Sequence, residues 1–483
     1  MTLQRLGVFA GILVLVSARA DVRLPALFSD NMVLQQGTAV PIWGWADEGE
    51  EVKVSFRGKS LNAKAQNGKW MVKLSRLKAG GPDNLIVEGK NRIELKNVLV
   101  GEVWICSGQS NMELPLKNTF EAEAAIAASG NPQLRLFHVP KTKADEPRDD
   151  VKGEWNSAGP ESTSNFSAVA YYFGRDLQKA LKVPVGLIET CWGGSPAEVW
   201  MSRRVLEANP EYKRDILDAY VEKMGKGNTN KSARAPWKPT ELYNGMIAPL
   251  IPFSIKGAIW YQGESNAGRA KQYRALFADM IRNWRADWAE GDFTFLEVQL
   301  APYDKAKKRS LETITEKPED SDWAELREAQ LLATKVLPKV GMAVITDVGE
   351  KDDIHPKKKE PVGTRLALAA RGIAYHEKIE YSGPIYKSMK VQGQKIILSF
   401  DHADGLEARG GELKGFAICG PDKKFVWPKA QIDGNRVVVS SPEVTQPVAV
   451  RYGWSDFPVV NFWNKAGLPA SPFRTDDFPM ITK

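Results

Sequence analysis

Gly108-Gln109-Ser110-Asn111-Met112 places a serine and two amides at a turn directly after the strand-like run Val98–Cys106. A serine in that setting is a candidate nucleophile. Glycine permits a sharp turn and close approach, and a helix following the turn aims its free N–H groups at developing negative charge. Three more polar stretches follow predicted strands: Glu189-Thr-Cys-Trp-Gly-Gly-Ser195, Gln262-Gly-Glu-Ser-Asn266 and Asp347-Val-Gly-Glu-Lys-Asp-Asp-Ile-His-Pro356. In an open parallel sheet ligands bind beyond the carboxyl ends of the strands, so these four turns are the ones to read for chemistry.

Ester hydrolysis through a serine needs a base, a carboxylate that fixes the base, and N–H donors for the oxyanion. Ser110 supplies the hydroxyl and His355 the imidazole. Asp352, three residues earlier, is the expected orienting carboxylate, with adjacent Asp353 the alternative. Gly193 and Gly194 offer backbone N–H groups, and Gln262 or Asn266 a side-chain amide. Gln109, Asn111, Trp192 and Glu264, from the same turns, are candidates for touching the substrate. Of the four histidines in the chain, only His355 follows a core strand into an acidic turn. A competing arrangement gathers Asp347, Glu350, Asp352, Asp353 and His355 around a metal, but no second histidine or carboxylate motif supplies the remaining ligands. Trp104, Trp192, Trp200, Trp260 and Tyr261 cluster around the turns, which suits either a core or a sugar-stacking surface.

The elements that must position these residues read as α/β. Strand-like runs alternate with helical patterns through the middle of the chain, including a helix over Ala168–Leu181 and an amphipathic one carrying Tyr273, Leu276, Phe277, Met280, Ile281, Trp284 and Trp288 on one face. That order predicts a parallel sheet with helices on both faces. Before it, Val22–Lys96 alternates with period two between turn residues, as does the chain beyond Tyr375, which predicts β-sandwich modules at both ends. The expected division is 1–20 signal peptide, 21–97 N-terminal β-sandwich, 98–375 catalytic domain and 376–483 C-terminal β-rich domain. The polar stretch Lys305–Asp322 reads as a surface loop.

Composition fits an ordinary globular protein, with 483 residues, 43% hydrophobic and 26% charged. Arg5, the apolar run Leu6–Val16 and Ala18-Arg-Ala20 have the layout of a cleavable secretory signal, which predicts an exported protein, periplasmic or extracellular. No stretch is long enough to predict a membrane span. The net charge of +7 becomes +5 without Arg5 and Arg19, too mild an excess to indicate nucleic acid. The triplet Lys357-Lys-Lys359 reads as a solvated face. Cys106, Cys191 and Cys419 allow at most one disulfide, so stability must come from packing.

Taken together these strings resemble the sialate O-acetylesterase family, a carbohydrate-esterase branch of the SGNH hydrolases. The resemblance rests on Ser29-Asp-Asn-Met-Val-Leu34, Val40-Pro-Ile-Trp-Gly-Trp45, Gly101-Glu-Val-Trp-Ile-Cys-Ser-Gly-Gln-Ser-Asn-Met112, Leu242-Tyr-Asn-Gly-Met-Ile247, Trp260-Tyr-Gln-Gly-Glu-Ser-Asn266, Asp352-Asp-Ile-His-Pro356 and Arg451-Tyr-Gly-Trp454. It implies a flavodoxin-like core, Ser110 as nucleophile, His355 as general base and then acid, and Asp352 orienting it. It further implies an oxyanion hole from the Ser110 N–H, a glycine N–H at Gly193 or Gly194, and Gln262 or Asn266, with neither metal nor organic cofactor. The implied substrate is an O-acetylated carbohydrate. Sialic acid would need a cation, for which Arg203, Arg204 and Arg269 are near the motifs, while acetylated xylan or another glycan is the alternative within the same chemistry. A non-catalytic glycan-binding protein and a metal-dependent hydrolase are the alternatives outside it.

Overall fold

A computed structural model of the chain describes residues 21–225, 237–306 and 308–482. The expected signal segment, 1–20, lies outside them. Six parallel strands form the centre, in the spatial order Val340–Ala343, Thr294–Val298, Gly257–Tyr261, Arg92–Gly108, Val185–Cys191 and Asn131–His138, with Trp155–Ala158 antiparallel at the edge. Asn131–His138 and Trp155–Ala158 were not legible as strands. The first has polar Asn131, Gln133 and His138 at its ends, and the second is only four residues long.

The strand Gly257–Tyr261 is buried at every position, as expected for a strand covered on both faces. Alternate side chains enter opposite layers. Trp260 joins the core beneath the helices Ala270–Trp288 and Asp322–Val336, whereas Ile259 joins the core beneath Ala168–Leu181 and Glu360–Ile373. The predicted apolar face from Tyr273 to Trp288 is buried throughout. Helix Ala168–Leu181 begins where the Ser167 hydroxyl accepts the Ala170 N–H at 3.1 Å and ends at Lys182, with φ +55°.

The strand Arg92–Gly108 is 17 residues long. Its first half pairs antiparallel with Gly80–Glu88 in the N-terminal β region, and its second half is a central parallel strand. The expected boundary at 97 and 98 therefore falls inside one continuous strand. The C-terminal region holds two four-stranded antiparallel sheets around a core that includes Leu398, Ile418, Val437 and Tyr452. Arg327 ties this region to the centre: its fully buried guanidinium donates to the carbonyls of Leu300, Ala301, Ser455 and Asp456. The described residues between 305 and 321 are mostly loop, with one helical turn at Leu311–Thr315. All three cysteines are buried free thiols. Among the described residues no helix is long and apolar enough to cross a membrane.

Candidate active site

The strand order reverses around Arg92–Gly108: the next two parallel strands along the chain, Asn131–His138 and Val185–Cys191, lie on one side of it and the following three on the other, and the serine turn opens at its carboxyl end. Gly108 is in register with both Cys191 and Tyr261, so three of the polar turns leave the sheet at one level. Gly108 has φ +140°, and a Cβ there would stand 2.2 Å from the Tyr261 carbonyl oxygen, so only glycine fits. The Gln109 N–H donates to that carbonyl at 2.9 Å, and Ser110 begins the short helix Ser110–Glu113.

The turn after Val340–Ala343 brings His355 to this point. Its Nε2 is 2.9 Å from Ser110 Oγ. The carboxylate behind it differs from expectation. Asp353 Oδ1 accepts the His355 backbone N–H at 2.9 Å and lies 3.9 Å from Nδ1. Asp352 turns outward, accepts from Lys351 Nζ at 2.6 Å and the Lys308 N–H at 3.2 Å, and is 58% exposed. The reason is local. A carboxylate two residues before an amide closes an Asx turn onto it, which swings Asp353 beside the imidazole and its neighbour away. Burial and the Lys359 ammonium push the His355 pKa down, while Asp353 opposes them.

Two of the expected backbone N–H donors lie at the serine. Ser110 is the first residue of its helix, where the N–H has no intrahelical partner. Gly193 packs onto the serine, and a Cβ there would lie 3.3 Å from Ser110 Cβ. The Gly193 N–H donates to Glu113 Oε2 at 2.5 Å, and the other oxygen of Glu113 accepts from Lys141. Gly194 is exposed, with φ +75°. The expected side-chain donors are otherwise engaged. Gln262 Nε2 donates to Ser195 O at 3.3 Å and Asn266 Oδ1 at 2.7 Å, while its oxygen accepts from the Tyr273 hydroxyl. Asn266 Nδ2 donates to Glu198 and its oxygen accepts the Ala197 N–H. Both side chains are buried and pin the segment 195–198, because a buried amide must spend its hydrogens on whatever surrounds it. Gln109 Oε1 accepts the N–H groups of Gly263 and Ser265, leaving its amide nitrogen without a partner among the described residues.

Asn111 and Glu264 also lie in this network. Asn111 Nδ2 donates to Glu264 Oε1 at 2.5 Å and to the Ile354 carbonyl at 3.0 Å, and its oxygen accepts from Lys359 Nζ at 2.5 Å. Lys359 is 1% exposed, contrary to the solvated face read from its triplet; Lys357 and Lys358 do face solvent. Its position four residues after His355 was the available signal, hidden by two like neighbours.

Trp104, Trp200, Trp260 and Tyr261 are core. Trp192 is half-buried beside the serine turn and stands edge-on to Trp237, ring centroids 5.4 Å apart. Lys143 Nζ lies 4.4 Å from the Trp237 ring centroid and Lys141 Nζ 5.5 Å from that of Trp192. Sequence reasoning missed Trp237 and both lysines, which lie outside the four polar turns read for chemistry. The three arginines it named are engaged elsewhere, Arg203 with Glu207, Arg204 with Asp287 and Arg269 with Glu198. The five side chains of the metal arrangement also diverge: Asp347 is bidentate with Arg365, Glu350 accepts the Lys357 N–H, and Asp352 pairs with Lys351. No group of three such ligands converges among the described residues.

Fold and site together define an ester-hydrolysing enzyme on a mixed α/β sheet. Residues 100–371 match the family described as carbohydrate esterase, sialic acid-specific acetylesterase. The chain is 30% identical to the sialate O-acetylesterase of Homo sapiens over 95% of its own length and 93% of the relative's, and 31% identical to that of Rattus norvegicus over 93% of each. The crystal structure of a carbohydrate acetylesterase from Xanthomonas citri is 42% identical, covers 95% of this chain and all of its own, and superposes with a TM-score of 0.84. The chain belongs to the sialic acid-specific acetylesterase family and is a carbohydrate esterase.

Proposed function

We propose that this protein removes acetyl groups from sugar hydroxyls through an acyl-enzyme on Ser110, within an SGNH-type, flavodoxin-like core. The observation that carries the reading is the 2.9 Å contact between Ser110 Oγ and His355 Nε2 at the carboxyl end of the central strand. His355 takes the hydroxyl proton as Oγ attacks the acetyl carbonyl. The resulting oxyanion is received by the Ser110 and Gly193 N–H groups, displacing the Glu113 carboxylate toward Lys141. Collapse breaks the ester bond, and the imidazolium, steadied by Asp353, returns the proton to the departing sugar oxygen. Water then repeats the sequence and releases acetate.

The sugar is an O-acetylated sialic acid in this reading. Trp192 and Trp237 offer ring faces, and Lys141 and Lys143 put two ammonium groups against them, paired with Glu113 and Glu241, so that a sugar carboxylate would share these cations with the protein's own carboxylates. Acetate release from acetylated sialic acids, acetylated xylo-oligosaccharides and p-nitrophenyl acetate tests it. A preference for the first that falls on Lys143→Gln, with p-nitrophenyl acetate unaffected, supports the acidic sugar. Equal turnover of the neutral xylo-oligosaccharides overturns it. We also propose export, on the leader-like first twenty residues. N-terminal sequencing of the mature protein checks this, with a start near Asp21 expected and an intact Met1 counting against it.

A further inference from the structure

The carboxylate behind His355 holds it loosely. Asp353 stands 3.9 Å from Nδ1 and is 45% exposed, beyond hydrogen-bond reach and screened by water. Yet His355 meets the serine at 2.9 Å, so something else fixes its loop. The firm contacts come from Asn111, the residue after the nucleophile. Its Nδ2 holds the carbonyl of Ile354, immediately before the histidine, and its oxygen is held by Lys359, four residues after it. One fully buried side chain thus grips the histidine loop at both ends, from a backbone position adjacent to Ser110.

The second arm is costly. Lys359 Nζ is buried, stands 5.0 Å from the Tyr261 ring centroid, and has Asn111 Oδ1 as its one hydrogen-bond acceptor among the described residues. A buried ammonium with so few partners is a poor way to stabilise a fold. Its charge is held down: burial lowers its pKa to about 7 against the opposing pull of Glu264, Glu350 and Asp353. Glu264 completes the arrangement by accepting from the other side of Asn111 Nδ2, with its second oxygen buried and without a hydrogen-bond partner among the described residues.

We infer that Lys359, acting through Asn111, is a positioning residue that locks the His355 loop onto Ser110 in place of a tightly bonded carboxylate. The inference rests on the acyl-enzyme reading. Lys359 touches no reacting atom. It orients the amide of Asn111, that amide fixes Ile354, and Ile354 sets where the imidazole stands. The ammonium also repels the protonated form of His355, whose charged neighbours are Lys359 and Asp353.

The test compares Lys359→Gln, Lys359→Met and Asn111→Ala with the unaltered protein, using p-nitrophenyl acetate kinetics and the NMR titration of His355. Displacing a catalytic base by about an ångström costs about a hundredfold in rate. Lys359→Met and Asn111→Ala are therefore expected to lose about that factor in kcat with KM unchanged. Lys359→Gln, which keeps a donor for Asn111 and removes the charge, should recover much of kcat while the His355 pKa rises in both lysine variants. A folded Lys359→Met or Asn111→Ala that keeps kcat or changes only KM, or a folded lysine variant in which the His355 pKa does not move, overturns the inference. Should Lys359→Met fail to fold, Lys359→Gln decides through the titration. That titration needs no turnover, and failure of the underlying reading shows separately as full activity in Ser110→Ala.

Discussion

Asp353, rather than Asp352, is the carboxylate that faces His355: it caps the histidine's own N–H at 2.9 Å and lies 3.9 Å from Nδ1, while Asp352 is paired with Lys351. Asp353→Asn should lower kcat/KM by about tenfold, less than a directly bonded triad carboxylate, whereas Asp352→Asn should stay within about twofold of the unaltered enzyme. Kinetics of the two single variants decide between the carboxylates, and the opposite ranking would restore Asp352.

The pH profile has a sign. His355 works as a base only when neutral, and burial with Lys359 pushes its pKa below the ordinary histidine value of 6.5. The acid limb of kcat/KM should thus fall below pH 6.5, with activity lost as pH drops through the folded pKa. Removing Asp353, which favours the imidazolium, should move that limb to still lower pH. A limb above 6.5 in the unaltered enzyme contradicts the assignment.

Ser110→Ala should abolish turnover, by about ten-thousandfold or more, because the remaining groups cannot form the acyl intermediate. Its circular dichroism and melting temperature should match the unaltered protein, since the hydroxyl's hydrogen-bond partner is the half-buried His355.

The glycines separate two kinds of loss. Gly108→Ala forces a Cβ to within 2.2 Å of the Tyr261 carbonyl at φ +140°, so it should destabilise the fold by about 1–3 kcal/mol or more, seen in thermal melts. Gly193→Ala meets no forbidden φ but brings a Cβ 3.1 Å from Glu113 Oε2 and 3.3 Å from Ser110 Cβ. It should leave stability nearly intact and lower kcat by about tenfold. Steady-state kinetics on the folded variant check it.

Much was legible in the sequence because the signals are local. Hydrophobic period and turn residues gave the helix Ala168–Leu181 at its observed ends, the buried face from Tyr273 to Trp288, and the serine and histidine turns after core strands. A strand's end is set by its own residues, and in a parallel sheet all such ends lie on one side. What the sequence left undecided depends on where side chains point once the turns meet. Spacing favoured Asp352, but an Asx turn aimed Asp353 at the histidine. Composition put Lys359 in solvent with its neighbours, but the start of the last core helix buried it against Asn111. Gln262 and Asn266 looked like free amides, yet burial committed them to each other. The residues able to take part were determined by the chain alone. Their partners were decided by tertiary structure, because hydrogen bonds are assigned by direction over a few ångströms, and only packing of remote segments fixes direction.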